Sequence, residues 1–188
     1  RVEDFYVNPQ NQNLMYMGSR SGGFWKSNNG GTTWQGGSTD FLPATGVNVI
    51  AVSPTNPDSI LINIRNANNG NSHGIYRSTD GGNTFTLSNF NPTNVGQGGL
   101  GDNFQIYALY YHPYIANKIF IGTNEGLYVS NDNLQTWSHT MTSYDISEIA
   151  FHPTDSNVIY CYNNYYYNSN KNQILVSNDG GVSFSYTQ

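Results

Sequence analysis

Charge is what this chain has least of. Asp, Glu, Lys and Arg make up 10% of its 188 residues, against roughly 25% in ordinary soluble domains. Seven Lys and Arg against twelve Asp and Glu leave a net charge of −5. The seven are scattered and form no basic stripe, which excludes binding to nucleic acid or another polyanion. The single cysteine, Cys161, excludes an intrachain disulfide. Within Val158-Ile159-Tyr160-Cys161-Tyr162, and without a Cys/His/Asn constellation, it reads as a small packed side chain of a strand. No apolar run approaches the ~20 residues of a membrane helix, so no direct membrane insertion is expected. No usable Asn-x-Ser/Thr acceptor occurs, Asn91-Pro92-Thr93 being blocked by proline, which favours a bacterial surface. The chain shows no signal peptide and no initiator Met and opens directly in strand register, so it reads as a processed or excised part of a longer protein.

What it does have is repetition. Ser78-Thr79-Asp80-Gly81-Gly82-Asn83-Thr84-Phe85 returns as Ser27 to Trp34, Ser130 to Trp137 and Ser177 to Phe184, with spacings of 51, 52 and 47 residues between the opening serines. Such periods indicate blades or solenoid turns. The chemistry is that of a self-capped hairpin. The Asp or Asn side chain accepts nearby backbone N–H groups, Gly-Gly supplies positive φ, and the closing aromatic folds over the turn. A second element recurs at another phase: Val2-x-x-Phe5-x-Val7-Asn8-Pro9, Val47 to Pro54, Ile106 to Pro113 and Ile146 to Pro153.

Short apolar runs bounded by Gly, Pro and Asn predict four strands per repeat and no helix. They fall at 2–7, 14–19, 24–27 and from Trp34 onwards; at 47–52, 60–66, 75–78 and 85–88; at 106–111, 119–123, 127–130 and 137–140; and at 146–151, 158–163, 174–177 and 184–187. Four antiparallel strands at this period make a β-propeller blade. The expectation is one all-β propeller domain with blades at about 1–40, 41–90, 91–141 and 142–188, forming part of a larger ring. Ala51 and Ala150 suit a crowded inner strand, and the tryptophans, all at repeat positions, suit packing between blades.

These residues resemble the Asp-box (BNR) repeats of sialidases, sortilin-type receptors, xyloglucanase-type glycoside hydrolases and photosystem-assembly propellers. The combination h-x-x-h-x-h-x-Pro with Tyr-x-Ser-x-Asp-Gly-Gly-x-Thr-Phe is most similar to the sortilin/xyloglucanase type of secreted bacterial proteins. Asn29, Asp80, Asp132 and Asp179, with Trp34, Phe85, Trp137 and Phe184, are then structural turn residues. The resemblance is specific for fold and says little about function, since the motif stabilises hairpins in enzymes and binding modules alike. It implies a catalytic Asp before the Gly-Gly of the first blade's second loop. Within Gly18-Ser19-Arg20-Ser21-Gly22-Gly23 that place is held by Arg20.

Counting from each strand-A proline to the turn serine gives 18, 24, 17 and 24 residues, whereas the other connections hold their length. In an up-down-up-down blade the variable loops therefore share one end. They are 36–46, 66–74, 89–105 and 163–173, and function on repeat arrays tends to be carried by such loops. Tyr165, Tyr166 and Tyr167 form a candidate ligand-binding loop, able to stack on sugar rings or anchor a protein, or else to fold inward. His112 and His152 stand where Asn8 and Ser53 stand and read as turn caps. His73 and His139 lack partners at ligand spacing, so no metal and no cofactor is expected. Asp40, Asp102, Glu125 and Asp145 are the carboxylates at the variable end, none in a recognisable catalytic setting. A sialidase needs three arginines on one carboxylate, and only Arg1, Arg20, Arg65 and Arg77 are available.

The expected function is a non-catalytic, secreted or cell-surface module that binds a protein or glycan ligand at the variable-loop end and joins other domains or blades of the same protein or a surface complex. The alternative is a fragment of a xyloglucanase- or sialidase-like glycoside hydrolase, and a third reading is a structural spacer.

Overall fold

The computed structural model describes residues 1–95, 103–142, 144–164 and 173–186. They form two compact units, Arg1–Asn103 and Phe104–Gln188. The first unit holds one sheet of β1 (Val2–Val7), β2 (Met15–Ser19) and β3 (Gly23–Ser27). Its second sheet is β4 (Gly46–Val52), β5 (Ile60–Arg65), β6 (Ser72–Ser78) and β7 (Thr86–Leu87). The second unit holds a third sheet of β8 (Ile106–Tyr111), β9 (Ile119–Thr123), β10 (Gly126–Ser130) and β11 (Ser138–Thr142). The fourth sheet is β12 (Ile146–Phe151), β13 (Ile159–Asn163), β14 (Gln173–Ser177) and β15 (Ser185–Tyr186). Every sheet is an antiparallel meander, and the described residues contain no helix. The fold is all-β, and these sheets are β-propeller blades.

One expected strand is missing. In the first sheet the segment from Trp34 reduces to a single bridge, Lys26 to Gln35. Gly36 lies so close to Trp25 that an added Cβ would sit 3.0 Å from its ring, and Gly37 turns the chain at φ 98°. The Phe24 N–H then donates to Thr39 Oγ1 instead of to a strand. β6 starts earlier than expected, at Ser72, whose hydroxyl donates to Asn63 Oδ1 at 2.6 Å. Ala51 is buried as an inner-strand residue should be, but Ala150 is exposed.

The four repeated turns share one hydrogen-bond net. The hydroxyls of Ser27, Ser78, Ser130 and Ser177 accept the N–H four residues on, at 2.8–2.9 Å, and donate to Oδ1 of Asn29, Asp80, Asp132 and Asp179. That Oδ1 accepts the N–H of Thr33, Thr84, Thr136 or Ser183, each at 2.9 Å. Where the residue is Asp, Oδ2 accepts the hydroxyl of the same Thr or Ser. In the first turn the Asn29 amide donates to Thr33 Oγ1 instead. These bonds hold the Asp80 carboxyl down at about 2, the Thr84 hydroxyl contributing most. The third turn has Asn133 and Leu134 at φ 60° and 64° in place of Gly-Gly, and Leu134 offsets that strain by burying its side chain.

Each turn is tied to the first loop of its own sheet. The N–H groups of Gly30, Gly81, Asn133 and Gly180 donate to the carbonyls of Asn13, Asp58, Asn117 and Asn157 at 2.9–3.0 Å. Three of those loops are themselves capped by Asn8, His112 or His152. Asn8 Oδ1 accepts from Gln10 and Asn11, His112 Nδ1 from Tyr114 and Ile115, and His152 Nδ1 from Thr154 and Asp155. The histidines thus act as the turn caps that their positions predict.

Packing within each unit is face to face. In the first, Tyr16 and Phe24 of the first sheet pack on Ile50, Ile62 and Tyr76 of the second, and Phe24 meets Phe85 edge-on at 5.1 Å. In the second, Phe120 and Val129 of the third sheet pack with Ile149, Cys161 and Leu175 of the fourth. Burial of each such aliphatic side chain contributes roughly 1.5–3 kcal/mol.

His112 is fully buried, with Nε2 donating to the Ser156 carbonyl and Nδ1 accepting two N–H groups. Burial pushes its basicity below the ordinary histidine value. The neutral ring's contribution to stability is therefore complete above about pH 6.5 and is lost as pH falls through the lower native value. The melting temperature is expected to fall between pH 7 and pH 5. His112→Asn, which keeps the two accepting bonds as Asn8 does, should flatten that dependence; an unchanged slope in thermal melts would remove His112 as its source.

Candidate functional site

The end of each sheet opposite the repeated turns is built by a β-bulge in the same place. Register slips by one residue in β1 at Glu3, in β4 at Asn48–Val49, in β8 at Tyr107 and in β12 at Ser147. A bulge sets an extra residue outside the ladder and re-aims its side chain. In each sheet the slip includes a residue with a polar side chain: Glu3, Asn48, Tyr107 and Ser147.

In the first unit these side chains are engaged by neighbouring side chains, although Glu3 Oε1 and Arg65 Nε are buried without a hydrogen-bond partner among the described residues. Glu3 pairs with Arg65 at 2.7 Å and with Arg1 at 2.9 Å. Asn48 accepts from the Asn63 amide, which in turn accepts the Ser72 hydroxyl. Arg20 Nε donates to the Ala67 carbonyl at 2.8 Å. Arg65 is pushed below its ordinary basicity by burial, against the pull of Glu3 and with a push from Arg20 and Arg1. Two of the four arginines are thus neutralised on Glu3 and a third is engaged with backbone.

In the second unit they open on a cavity. Tyr107 and Ser147, with Asp145 and Asn164, line a cavity of about 350 Å³. Asp145 is clamped by its backbone: its N–H donates to Asn163 Oδ1 at 2.9 Å and its carbonyl accepts the Asn164 N–H at 2.7 Å. Its Oδ1 is buried without a hydrogen-bond partner among the described residues. Burial raises the Asp145 carboxyl above the ordinary aspartate value, and burial followed by the charge of Asp145 raises the Tyr107 hydroxyl to about 12. The arrangement offers a concave, water-accessible cup with a strong acceptor, a phenol, a hydroxyl and an amide, a set suited to ligand hydroxyl groups.

Of the four carboxylates at the variable end, the structure therefore singles out Asp145. Asp40 and Glu125 are exposed, and Asp102 lies outside the described residues, as do Tyr165, Tyr166 and Tyr167. Tyr107 and Ser147 carried no signal beyond their place at the second position of the repeated h-x-x-h pattern, where a bulge recurs. Cys161 is buried and its thiol is pushed up to about 12 by burial, so it is a packed side chain and not a nucleophile. His139 stacks on Tyr128 at 4.0 Å. Among the described residues no three His, Cys, Asp or Glu side chains gather closely enough to hold a metal ion.

The class is therefore a β-propeller array with polar side chains gathered at the bulged ends of its blades. Residues 73–188 match the profile of the family described as Sortilin, neurotensin receptor 3 (Sortilin-Vps10), and the chain belongs to that family. No curated protein matches the chain by sequence. Among solved structures it is similar to a GH74 enzyme of Niastella koreensis, with a TM-score of 0.75 and 22% identity over 100% of this chain and 29% of that one. The GH74 xyloglucanase of Xanthomonas campestris gives 0.72 and 18% over 98% and 30%. The extracellular domain of a hybrid two-component system of B. thetaiotaomicron gives 0.65 and 15% over 100% and 22%. The chain spans less than a third of each of these proteins, and at such identities the likeness is one of fold.

A half-buried carboxylate whose Oδ1 has no partner among the described residues costs stability in its charged form. Because the native value of Asp145 is raised, stability is lost as pH rises from about 3.9 through that native value. Asp145→Asn is expected to raise the urea midpoint at pH 7 and to leave it nearly unchanged at pH 3. A lower midpoint at pH 7 would show that the carboxylate has a stabilising partner.

Proposed function

We propose that the chain is a ligand-binding module of an extracellular propeller protein, taking a hydroxylated ligand, most simply a glycan, at the bulged ends of its blades. The observation that carries this reading is the cup around Asp145. The Asp145 carboxylate lines the cup beside the Tyr107 phenol, the Ser147 hydroxyl and the Asn164 amide, a set of acceptors and donors that ligand hydroxyl groups can satisfy. The receptor named in the family description, the extracellular domain among the structural neighbours and the low charge of the chain support placement at a cell surface or in secretion. Protein capture by the variable loops, Tyr165 to Tyr167 included, is the companion role, and the four repeated turns serve as structural clasps.

The test is titration calorimetry of the whole chain against a panel of neutral oligosaccharides that includes xyloglucan fragments. Asp145→Asn and Tyr107→Phe are each expected to weaken binding by about tenfold, the loss of one strong hydrogen bond. Equal affinities for wild type and both variants would reject the cup as the site. Replacing Tyr165, Tyr166 and Tyr167 together by Ala should weaken capture of ligand at an unchanged melting temperature; unaltered capture would dismiss that loop.

A second reading, a fragment of a glycoside hydrolase, is favoured by one observation. A carboxyl raised by burial is what a general acid requires. Such chemistry also needs a second carboxylate at roughly 5–10 Å, and among the described residues Asp145 is the only carboxylate lining the cup. Release of reducing ends from xyloglucan by the chain, lost in Asp145→Asn, would favour the hydrolase over the binding module.

A further inference from the structure

Register aligns the bulged ends of the four sheets position by position. Val2, Val47, Ile106 and Ile146 pair with Ser19, Ile64, Thr123 and Asn163, so the residues one step beyond these pairs, and those at the bulges, are equivalent. The four residues that line the cup of the second unit therefore answer to four of the first: Tyr107 to Glu3, Ser147 to Asn48, Asp145 to Gly46 and Asn164 to Arg65. In the first unit this place is occupied from within. The Arg65 side chain is 14% exposed and carries its guanidinium to Glu3 at 2.7 Å. Its stem passes over Gly46, where an added Cβ would stand 3.0 Å from Arg65 Cγ.

The second unit inverts these choices. The long cation is cut back to the Asn164 amide, the glycine is replaced by Asp145, and a cavity of about 350 Å³ opens at the place to which the first unit sends a guanidinium. Among the described residues no ion pair involves Asp145, and its carboxyl is raised by burial with no basic group acting against it. We propose that the cup takes a ligand whose hydroxyls are joined by a protonated amine, an amino sugar, with the ammonium set beside the Asp145 carboxylate as the Arg65 guanidinium is set beside Glu3. The inference rests on the cup being the ligand site and adds the charge of what it binds. The Tyr107 phenol, Ser147 hydroxyl and Asn164 amide are neutral and suit the hydroxyls of a sugar. A half-buried carboxylate gains more from a cation, since charge-assisted hydrogen bonds are about twice as strong as neutral ones. The three neutral groups favour a sugar over a basic peptide side chain, which brings a cation without hydroxyls. The net charge of −5 attracts a cationic ligand to the chain.

Titration calorimetry on the full chain tests this with three oligosaccharides of one backbone: a β-1,4-linked glucosamine tetramer, its fully N-acetylated form and cellotetraose. At pH 6 and low salt the glucosamine tetramer is expected to bind about tenfold tighter than the two neutral sugars, an advantage that shrinks as salt is raised. Asp145→Asn should cancel the advantage. Asn164→Arg, which restores the arrangement of the first unit, should abolish binding of the amine and raise the melting temperature. Lys171 is the one basic residue outside the described residues, and Lys171→Gln should leave the advantage unchanged. Equal affinity for all three sugars would overturn the preference for a cation and leave the cup standing as a site for neutral glycans, whereas no binding of any of them would reject both. An advantage that survives Asp145→Asn, or that emerges only in Lys171→Gln, would also overturn the proposal, as would tighter binding of tetralysine than of the amino sugar.

Discussion

One serine hydroxyl at the end of each third strand sets the terms for everything else. It accepts the N–H of the turn and donates to the Asp or Asn two residues on, whose other bonds close the hairpin. Each turn is then tied by a backbone bond to the first loop of the same sheet. With both connections at that end consumed in mutual hydrogen bonding, their lengths cannot drift. Variation is left to the other end, where the bulges lie.

The bulge turns that freedom into chemistry. By setting a residue outside the ladder it brings a polar side chain to the end of a sheet that is otherwise packed with Ile, Leu and Val. In the first unit the consequence is neutralised, since Glu3 is matched by Arg65 and Arg1. In the second the same geometry surrounds Asp145 with neutral partners and a cavity, and burial acts on its charge without compensation. Two sites of like backbone thus differ in electrostatics, because desolvation is offset by an ion pair in one and by no ion pair among the described residues in the other.

The turn chemistry is legible in the residues themselves because it is local. The roles of Asn8, His112 and His152 follow from their place before proline, and the strands from apolar runs between glycine and asparagine clusters. The reading failed where a distant contact decided. The fourth strand of the first sheet gives way because Gly36 crosses Trp25 and Gly37 turns the chain. Asp145 stood in the sequence as one carboxylate among four, and neither its burial nor the nearness of Tyr107 could be inferred from residues that lie 38 positions apart.

What the sequence determined by itself was the unit of construction: a four-stranded sheet clasped by a serine and an acid or amide, repeated at a nearly constant period. Hydrogen bonds within eight residues and alternation along short strands are enough to specify it. What only the tertiary structure decided was environment: which acid is drawn partly out of water and which arginines find a carboxylate. Those outcomes depend on side chains brought together from separate strands, and the energy of a charge or a methyl group is set by what surrounds it and not by its neighbours in the chain.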